Sequence, residues 1–229
     1  MKKRRYKTWF AGVFVTAALL FGTAFSASAA EEAPVGPGWE REEKEPQAED
    51  VILVEVPDPE ESAAEVTYYK NGEAVFSVPG LIGRAGLASP EEKKEGDKKT
   101  PSGTYGFVMA FGIKEDPGCA MGYRQVKDGD VWVDDPESRF YNRFAENQEA
   151  GKDWTSAENL ASISPWYDYC LALDYNEEQV PGKGSAIFLH CLTDGDQYTS
   201  GCISIPEENM ETLLVSIGEH AEIVIRQAE

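Results

Sequence analysis

The sequence predicts a mainly β domain with long loops and one or two helices packed on it. Three observations predict it. An Asn-Gly pair separates two β-prone runs, further short apolar runs recur with Gly and Pro between them, and only one stretch near the C-terminus carries a full set of helix signals.

Residues 51–56 form a short apolar run closed by Pro57-Asp58-Pro59. Val66-Thr67-Tyr68-Tyr69-Lys70 then meets Ala74-Val75-Phe76-Ser77-Val78 across Asn71-Gly72, the strongest short-range hairpin signal. Further strands are expected at 105–111, 170–175, 185–191 and 221–225. Loops such as 81–86 and Thr100-Pro101-Ser102-Gly103 argue for a mainly antiparallel arrangement. Near the C-terminus, Ser204 and Glu207 have capping-box spacing, Pro206 suits a first turn, and Met210, Leu213, Leu214 and Ile217 repeat at helical spacing before Gly218. That predicts a helix whose positive end lies near Cys202. A second helical stretch is expected between Arg139 and Gln148.

The chain divides into three parts. Residues 1–30 have the layout of a secretory signal peptide: Lys2, Lys3, Arg4, Arg5 and Lys7, an apolar stretch from Trp9 to Phe25, then Ser26-Ala27-Ser28-Ala29-Ala30. Cleavage is expected after Ala29 or Ala30, with an uncleaved anchor as the alternative; no stable membrane span is expected after cleavage. Residues 31–49 are rich in Glu and Pro and read as an acidic, disordered linker, because so few apolar groups cannot offset the entropy of ordering. Residues 50–229 suit one domain with one core.

With 21 basic against 41 acidic residues the formal net charge is −20. Losing the leader would remove five basic residues and no acidic ones, leaving about −25. Such a surface repels phosphates, so nucleic acid is excluded as a partner. Solubility alone explains the acidity equally well.

The chemistry centres on Cys202. Ala186-Ile187-Phe188-Leu189 reads as a buried strand delivering His190, and the turn-prone Thr193-Asp194-Gly195-Asp196 can fold the chain back so that Cys202 returns beside it. A thiol near its free pKa is mostly protonated at neutral pH, so an adjacent imidazole makes it a competent nucleophile. In Thr199-Ser200-Gly201-Cys202-Ile203 the Gly lets consecutive amides face a carbonyl oxygen.

This pattern resembles the YkuD-like L,D-transpeptidases, whose signature is a His followed after an interval by Ser or Thr, one residue, Gly-Cys and an aliphatic residue. Glu95-Gly96-Asp97-Lys98-Lys99-Thr100-Pro101-Ser102-Gly103-Thr104-Tyr105 is similar to a second family element, and Trp132-Val133-Asp134-Asp135-Pro136 with Tyr141-Asn142 to a segment of one branch. The resemblance implies a β-sandwich and peptidoglycan stem peptides as substrate. It assigns Cys202 as nucleophile, His190 as base, the carbonyl of Cys191 as the group orienting the ring, the amides of Ser200, Gly201 and Cys202 as oxyanion hole, and Thr199 beside the site. Tyr105, Asp134 and Asp135 are candidate substrate contacts. By resemblance the enzyme attacks the carbonyl of the third stem residue, releases the terminal D-alanine, and passes the acyl group to a side-chain amine. Carbapenem-type inhibitors are expected to acylate it, and no metal or organic cofactor is implied.

The sequence also departs from the family. Many members have Arg where Ser204 stands and His where Ser200 stands, which bears on the acceptor rather than on the nucleophile. Of the other cysteines, Cys191 follows His190 on a strand and is expected to face the opposite side, while pairing of Cys119 with Cys170 is left open. His220 reads as surface. A zinc or redox module lacks the spacing it needs, and a non-catalytic wall-binding protein or an L,D-carboxypeptidase remain the rival readings.

Overall fold

In the computed structural model, which describes residues 48–146 and 148–229, the alternation of apolar residues in the first strands dictates which side is buried. The leader and nearly all of the acidic linker lie outside the described residues. Strand β1 (Asp50–Val56) turns Ile52, Val54 and Val56 to the core; β2 (Ala63–Lys70) adds Val66 and Tyr68. Strand β3 (Glu73–Leu81) pairs with β2 across Asn71 and Gly72. Both turn residues have positive φ, 52° and 78°, which is what a two-residue turn matching strand twist requires.

The chain continues through β4 (Leu87–Ala88), β5 (Thr100–Pro101), β6 (Gly103–Tyr105), β7 (Phe107–Gly112) and β8 (Tyr123–Gln125). Next come β9 (Asp130–Val133), β10 (Arg143–Glu146), β11 (Ala157–Asn159), β12 (Cys170–Leu173), β13 (Phe188–Leu192) and β14 (Ile203–Pro206), then α1 (Glu207–Ser216) and β15 (Glu222–Gln227). Ten strands form one sheet in the order β6-β15-β1-β2-β3-β14-β13-β12-β7-β8. Its halves meet at β3 and β14 through a single pair, Leu81 with Ser204. There the backbones run close: a Cβ on Gly80 would lie 2.8 Å from the Ser204 carbonyl oxygen.

Ile52 and Val54 from one half of the sheet, and Leu171, Leu189, Ile203 and Ile205 from the other, share one core with Met210, Leu213 and Leu214 of α1. The sheet therefore folds over on itself as a sandwich. Burying each of these side chains contributes roughly 1.5–3 kcal/mol relative to exposure. The second half is apolar on its outer face as well, where Phe111, Cys170, Ala172 and Phe188 pack with Trp132 and Leu160 beneath the three-stranded sheet β10-β9-β11. Strand β13 thus has two buried faces, with Leu189 and Cys191 turned inward and Phe188 and His190 outward.

Two local expectations are corrected. Residues 139–146 and 148, the described part of the stretch expected between Arg139 and Gln148, are not helical: Asn142 takes φ 54°, which ends any helix, and Arg143–Glu146 pairs antiparallel with β9. Phe140, Tyr141, Phe144 and Ala145 mimic helical spacing, but they divide between a turn and a strand. The capping box at α1 also does not form. Ser204 lies within β14, the N-cap is Pro206 without a side-chain cap, and the intervening strand separates α1 from Cys202 by about 13 Å along the chain. The helix dipole is therefore remote from the thiol. The apolar face expected of this helix is present: Met210, Leu213, Leu214 and Ile217 are all fully buried.

Candidate active site

Strands β13 and β14 run parallel, with His190 opposite Ser204 and Leu189 opposite Ile203. Continuing that register places Cys202 opposite Phe188, so His190 and Cys202 share one face as diagonal neighbours, on the order of 7–8 Å between backbones. Both are nearly buried and both line one cavity of about 440 Å³. The connection 193–202 returns the chain through a tight turn in which the Asp196 carboxylate accepts from the Thr193 amide and hydroxyl, each at 2.9 Å.

The imidazole is fixed on one side. Its Nδ1 lies 2.9 Å from the Cys191 carbonyl oxygen, which can only accept, so Nδ1 carries the proton and Nε2 of the neutral ring is left basic. The Tyr167 ring packs edge-on to it at 5.6 Å. Burial pulls the His190 pKa down to about 4, with the Cys191 carbonyl and the charge of Asp196 opposing. Burial likewise raises the Cys202 thiol to about 12, helped by the negative charge of Glu158. At neutral pH the resting pair is therefore a neutral thiol beside a neutral imidazole. The thiol donates not to His190 but to the Ala186 carbonyl oxygen, at 3.2 Å.

That carbonyl is itself held in place. Ala186 has φ 53°, an uncommon conformation for a residue with a Cβ, and its amide donates to Asn142 Oδ1 at 3.1 Å. Asn142 Oδ1 also accepts from Trp132 Nε1 at 3.1 Å, and Nδ2 donates to the carbonyls of Tyr175 and Asn176 at 2.9 and 3.0 Å. Every hydrogen-bonding position of this buried amide is used.

The loop before Cys202 is clamped by two threonines. Thr199 Oγ1 donates to the Cys202 carbonyl at 2.6 Å and accepts from the Gly201 amide at 3.1 Å. Thr100, fully buried, donates to the Gly201 carbonyl at 2.9 Å and accepts from the Gly83 amide at 2.8 Å. Gly201 has φ 140°, and a Cβ there would press against the Lys99 carbonyl at 3.0 Å. Only glycine suits both constraints. Of the three amides expected to face an oxyanion, that of Gly201 is occupied by Thr199, which leaves Ser200 and Cys202.

The remaining lining is polar. Lys93, buried, donates to Asp97 at 2.9 Å and to the Lys94 carbonyl at 2.8 Å. Glu95 accepts from Ser185 at 2.8 Å and from Tyr141, whose hydroxyl in turn accepts from the Gly184 amide. Glu158 accepts from Tyr167 at 2.7 Å, and burial raises its pKa. Trp166 and Tyr198 are exposed at the rim.

The structure brings Cys202, His190, Thr199, Ser200, Gly201 and Asp134 to this cavity. Asp135 does not line it: its carboxylate accepts from Thr155 and Glu137 amides at 2.7 and 3.0 Å, which hold its pKa below the usual range and make it a turn anchor. Tyr105 lies elsewhere, on β6, donating to the Ser102 carbonyl at 2.7 Å and packing edge-on to Tyr175. Cys191 points into the inner core, 3.6 Å from the Tyr169 carbonyl, and contributes only its backbone. All four cysteines are free thiols, with Cys119 in the inner core and Cys170 in the outer one. Sequence reasoning missed Thr100, Lys93, Glu158 and Tyr167. Thr100 at least stood inside the quoted Thr-Pro-Ser-Gly segment, whereas no local pattern marks Glu158.

The L,D-transpeptidase catalytic domain model, YkuD, matches residues 50–225. No curated protein sequence matches. Similar solved structures include an L,D-transpeptidase from Stackebrandtia nassauensis, 11% identical with a TM-score of 0.37, covering 79% of this chain and 56% of that one. A cysteine-to-serine mutant of the Enterococcus faecium L,D-transpeptidase is 12% identical with a TM-score of 0.39, covering 78% and 50%. The Mycobacterium smegmatis enzyme is 14% identical with a TM-score of 0.36, covering 78% and 59%. The chain thus spans roughly half the length of the proteins it is compared with.

Proposed function

Because the chain belongs to the YkuD family of L,D-transpeptidase catalytic domains, we propose that it is an exported cysteine acyltransferase that cross-links peptidoglycan stem peptides through a Cys202 thioester. The observation that carries this reading is the placement of Cys202 and an oriented, neutral His190 on one face of paired strands, at one cavity.

When a stem-peptide carbonyl enters, the thiol leaves the Ala186 carbonyl, His190 Nε2 takes its proton, and sulfur attacks carbon. The transient oxyanion accepts from the Ser200 and Cys202 amides. Collapse expels the terminal D-alanine, whose nitrogen regains the proton from His190. The resulting thioester is then attacked by an amine from a second stem. Both groups are neutral at rest, so proton transfer is coupled to substrate arrival and no standing thiolate exists to be oxidised.

Incubation with a disaccharide tetrapeptide, with products read by mass spectrometry, tests this. Cross-linked dimer is the expected product. Tripeptide monomer alone would mean that water replaces the amine, and unchanged substrate would mean a wall-binding protein without turnover.

A further inference from the structure

Four carboxylates line the cavity: Glu95, Asp134, Glu158 and Asp196. Two are occupied with structural work, Glu95 with Tyr141 and Ser185, and Asp196 with Thr193 and Trp166. Glu158 and Asp134 differ. Glu158 has one oxygen bonded by Tyr167, and its other oxygen accepts no hydrogen bond among the described residues. Asp134 Oδ1 is buried without a hydrogen-bond partner among the described residues. So is Ser204 Oγ, on a residue only 1% exposed, opposite His190 on the neighbouring strand and lining the same cavity. Buried acceptors without donors are costly. A primary ammonium, with three N–H donors, is the ligand chemistry that would satisfy such a lining.

We propose that Glu158 and Asp134 form the acceptor subsite, holding the ammonium of the incoming diamino acid side chain, and that Glu158 takes the proton that frees its nitrogen to attack. The proposal rests on the acyltransfer reading above. An ammonium cannot attack a thioester until it loses a proton, and the free amine is scarce at neutral pH. The Glu158 carboxylate removes one proton. The nitrogen lone pair then forms the C–N bond to the Cys202 thioester carbon, His190 takes a second proton from nitrogen, and collapse breaks the C–S bond. His190 returns that proton to sulfur, and the third stays on the new amide. Glu158 ends protonated and releases its proton to solvent. The charged or titratable groups around Glu158 are Tyr167, Asp134, Glu95, Lys98, Cys170 and Cys202. Burial and the two carboxylates raise its proton affinity, which suits a base, while Tyr167 and Lys98 limit the rise.

The test compares Glu158→Gln with wild type in two half-reactions. Gln keeps an acceptor for the Tyr167 hydroxyl, and thermal melting reports whether the fold survives. Acylation by tetrapeptide and by a carbapenem, followed by intact mass, should not slow, because removing the Glu158 charge eases ionisation of the Cys202 thiol. The ratio of dimer to tripeptide should fall on the order of 100-fold, with tripeptide rising, and should recover as pH approaches the amine's own pKa. Asp134→Asn, a second variant for the case in which Glu158→Gln folds poorly, should shift the ratio in the same direction. An unchanged ratio, or acylation slowed as much as transfer, would overturn the proposal. Wild-type enzyme that acylates but makes no dimer would overturn the acceptor subsite and the cross-linking step, while leaving the Cys202 acyl-enzyme standing. Wild-type enzyme that never acylates would overturn the acyltransfer reading and this one with it.

Discussion

His190 and Cys202 are buried groups whose charged forms burial disfavours, and the two shifts have opposite consequences for stability. The folded-state pKa of His190, about 4, lies below the unfolded value of about 6.5. Between those values the unfolded chain binds the extra proton, so the contribution is fully present above about pH 6.5 and is lost as pH falls towards 4, on the order of 3 kcal/mol in all. His190→Gln should therefore flatten the pH dependence of urea unfolding across that window; curves that stay parallel in variant and wild type would contradict the burial argument. The four cysteines separate by face. Cys202→Ala should abolish turnover, whereas Cys191→Ala, which removes a core side chain and keeps the carbonyl that orients His190, should leave most of it. Comparable loss in both would make the assignment wrong. At this scale the sequence is legible where residue type within a short segment marks a position, as with His190, Gly201 and Cys202, which the fold brings to one cavity. Thr100 was not recognised as a clamp, because its bonds reach Gly83 and Gly201, contacts that exist only once distant loops meet.

Strands β9 and β10 and the turn between them roof the outer face of β13, and Asn142 is where they are joined to the site. Its side chain links Trp132 on β9, the Tyr175–Asn176 turn and the Ala186 amide. Asn142→Ala should cost about 3 kcal/mol by leaving buried donors and acceptors unpaired. It should also slow acylation, because Ala186 loses the bond that holds φ at 53° and with it the carbonyl on which the thiol rests. Denaturant unfolding and acylation rates measured on one preparation check both effects; a destabilised variant with unaltered acylation would mean that Ala186 does not position the thiol. The hairpin at Asn71-Gly72 and the apolar face of α1 were readable because each is set by residues adjacent in sequence. The helix expected at 139–148 failed because pairing with β9, a tertiary event, overrides local spacing. The capping box failed similarly, since Ser204 is taken into the parallel ladder with His190.

Across the described residues, the sheet brings the first strand and the last together, β1 lying parallel to β15, so the half that packs against the catalytic strands across the core joins segments from both ends of the domain. Asp50 adds to this by accepting from Tyr68 at 2.7 Å and from the Gly218 amide beyond α1 at 2.8 Å. The signal peptide expected over residues 1–30 belongs to this scale as well: expression in a bacterial host with an active secretion pathway should yield a mature chain beginning at Ala30 or Glu31 by N-terminal sequencing, and retention of Met1 would favour the anchor. Most direct for the central claim is trapping of the acyl-enzyme. A carbapenem should add its full mass to the protein as a thioester, and digestion should place it on the peptide containing Cys202. His190→Ala should slow its formation by orders of magnitude near neutral pH, with partial recovery as pH rises and the thiol ionises unaided. An adduct on Cys191 in enzyme that cross-links peptidoglycan, or a rate indifferent to His190 across the pH range, would contradict the pairing of Cys202 with His190.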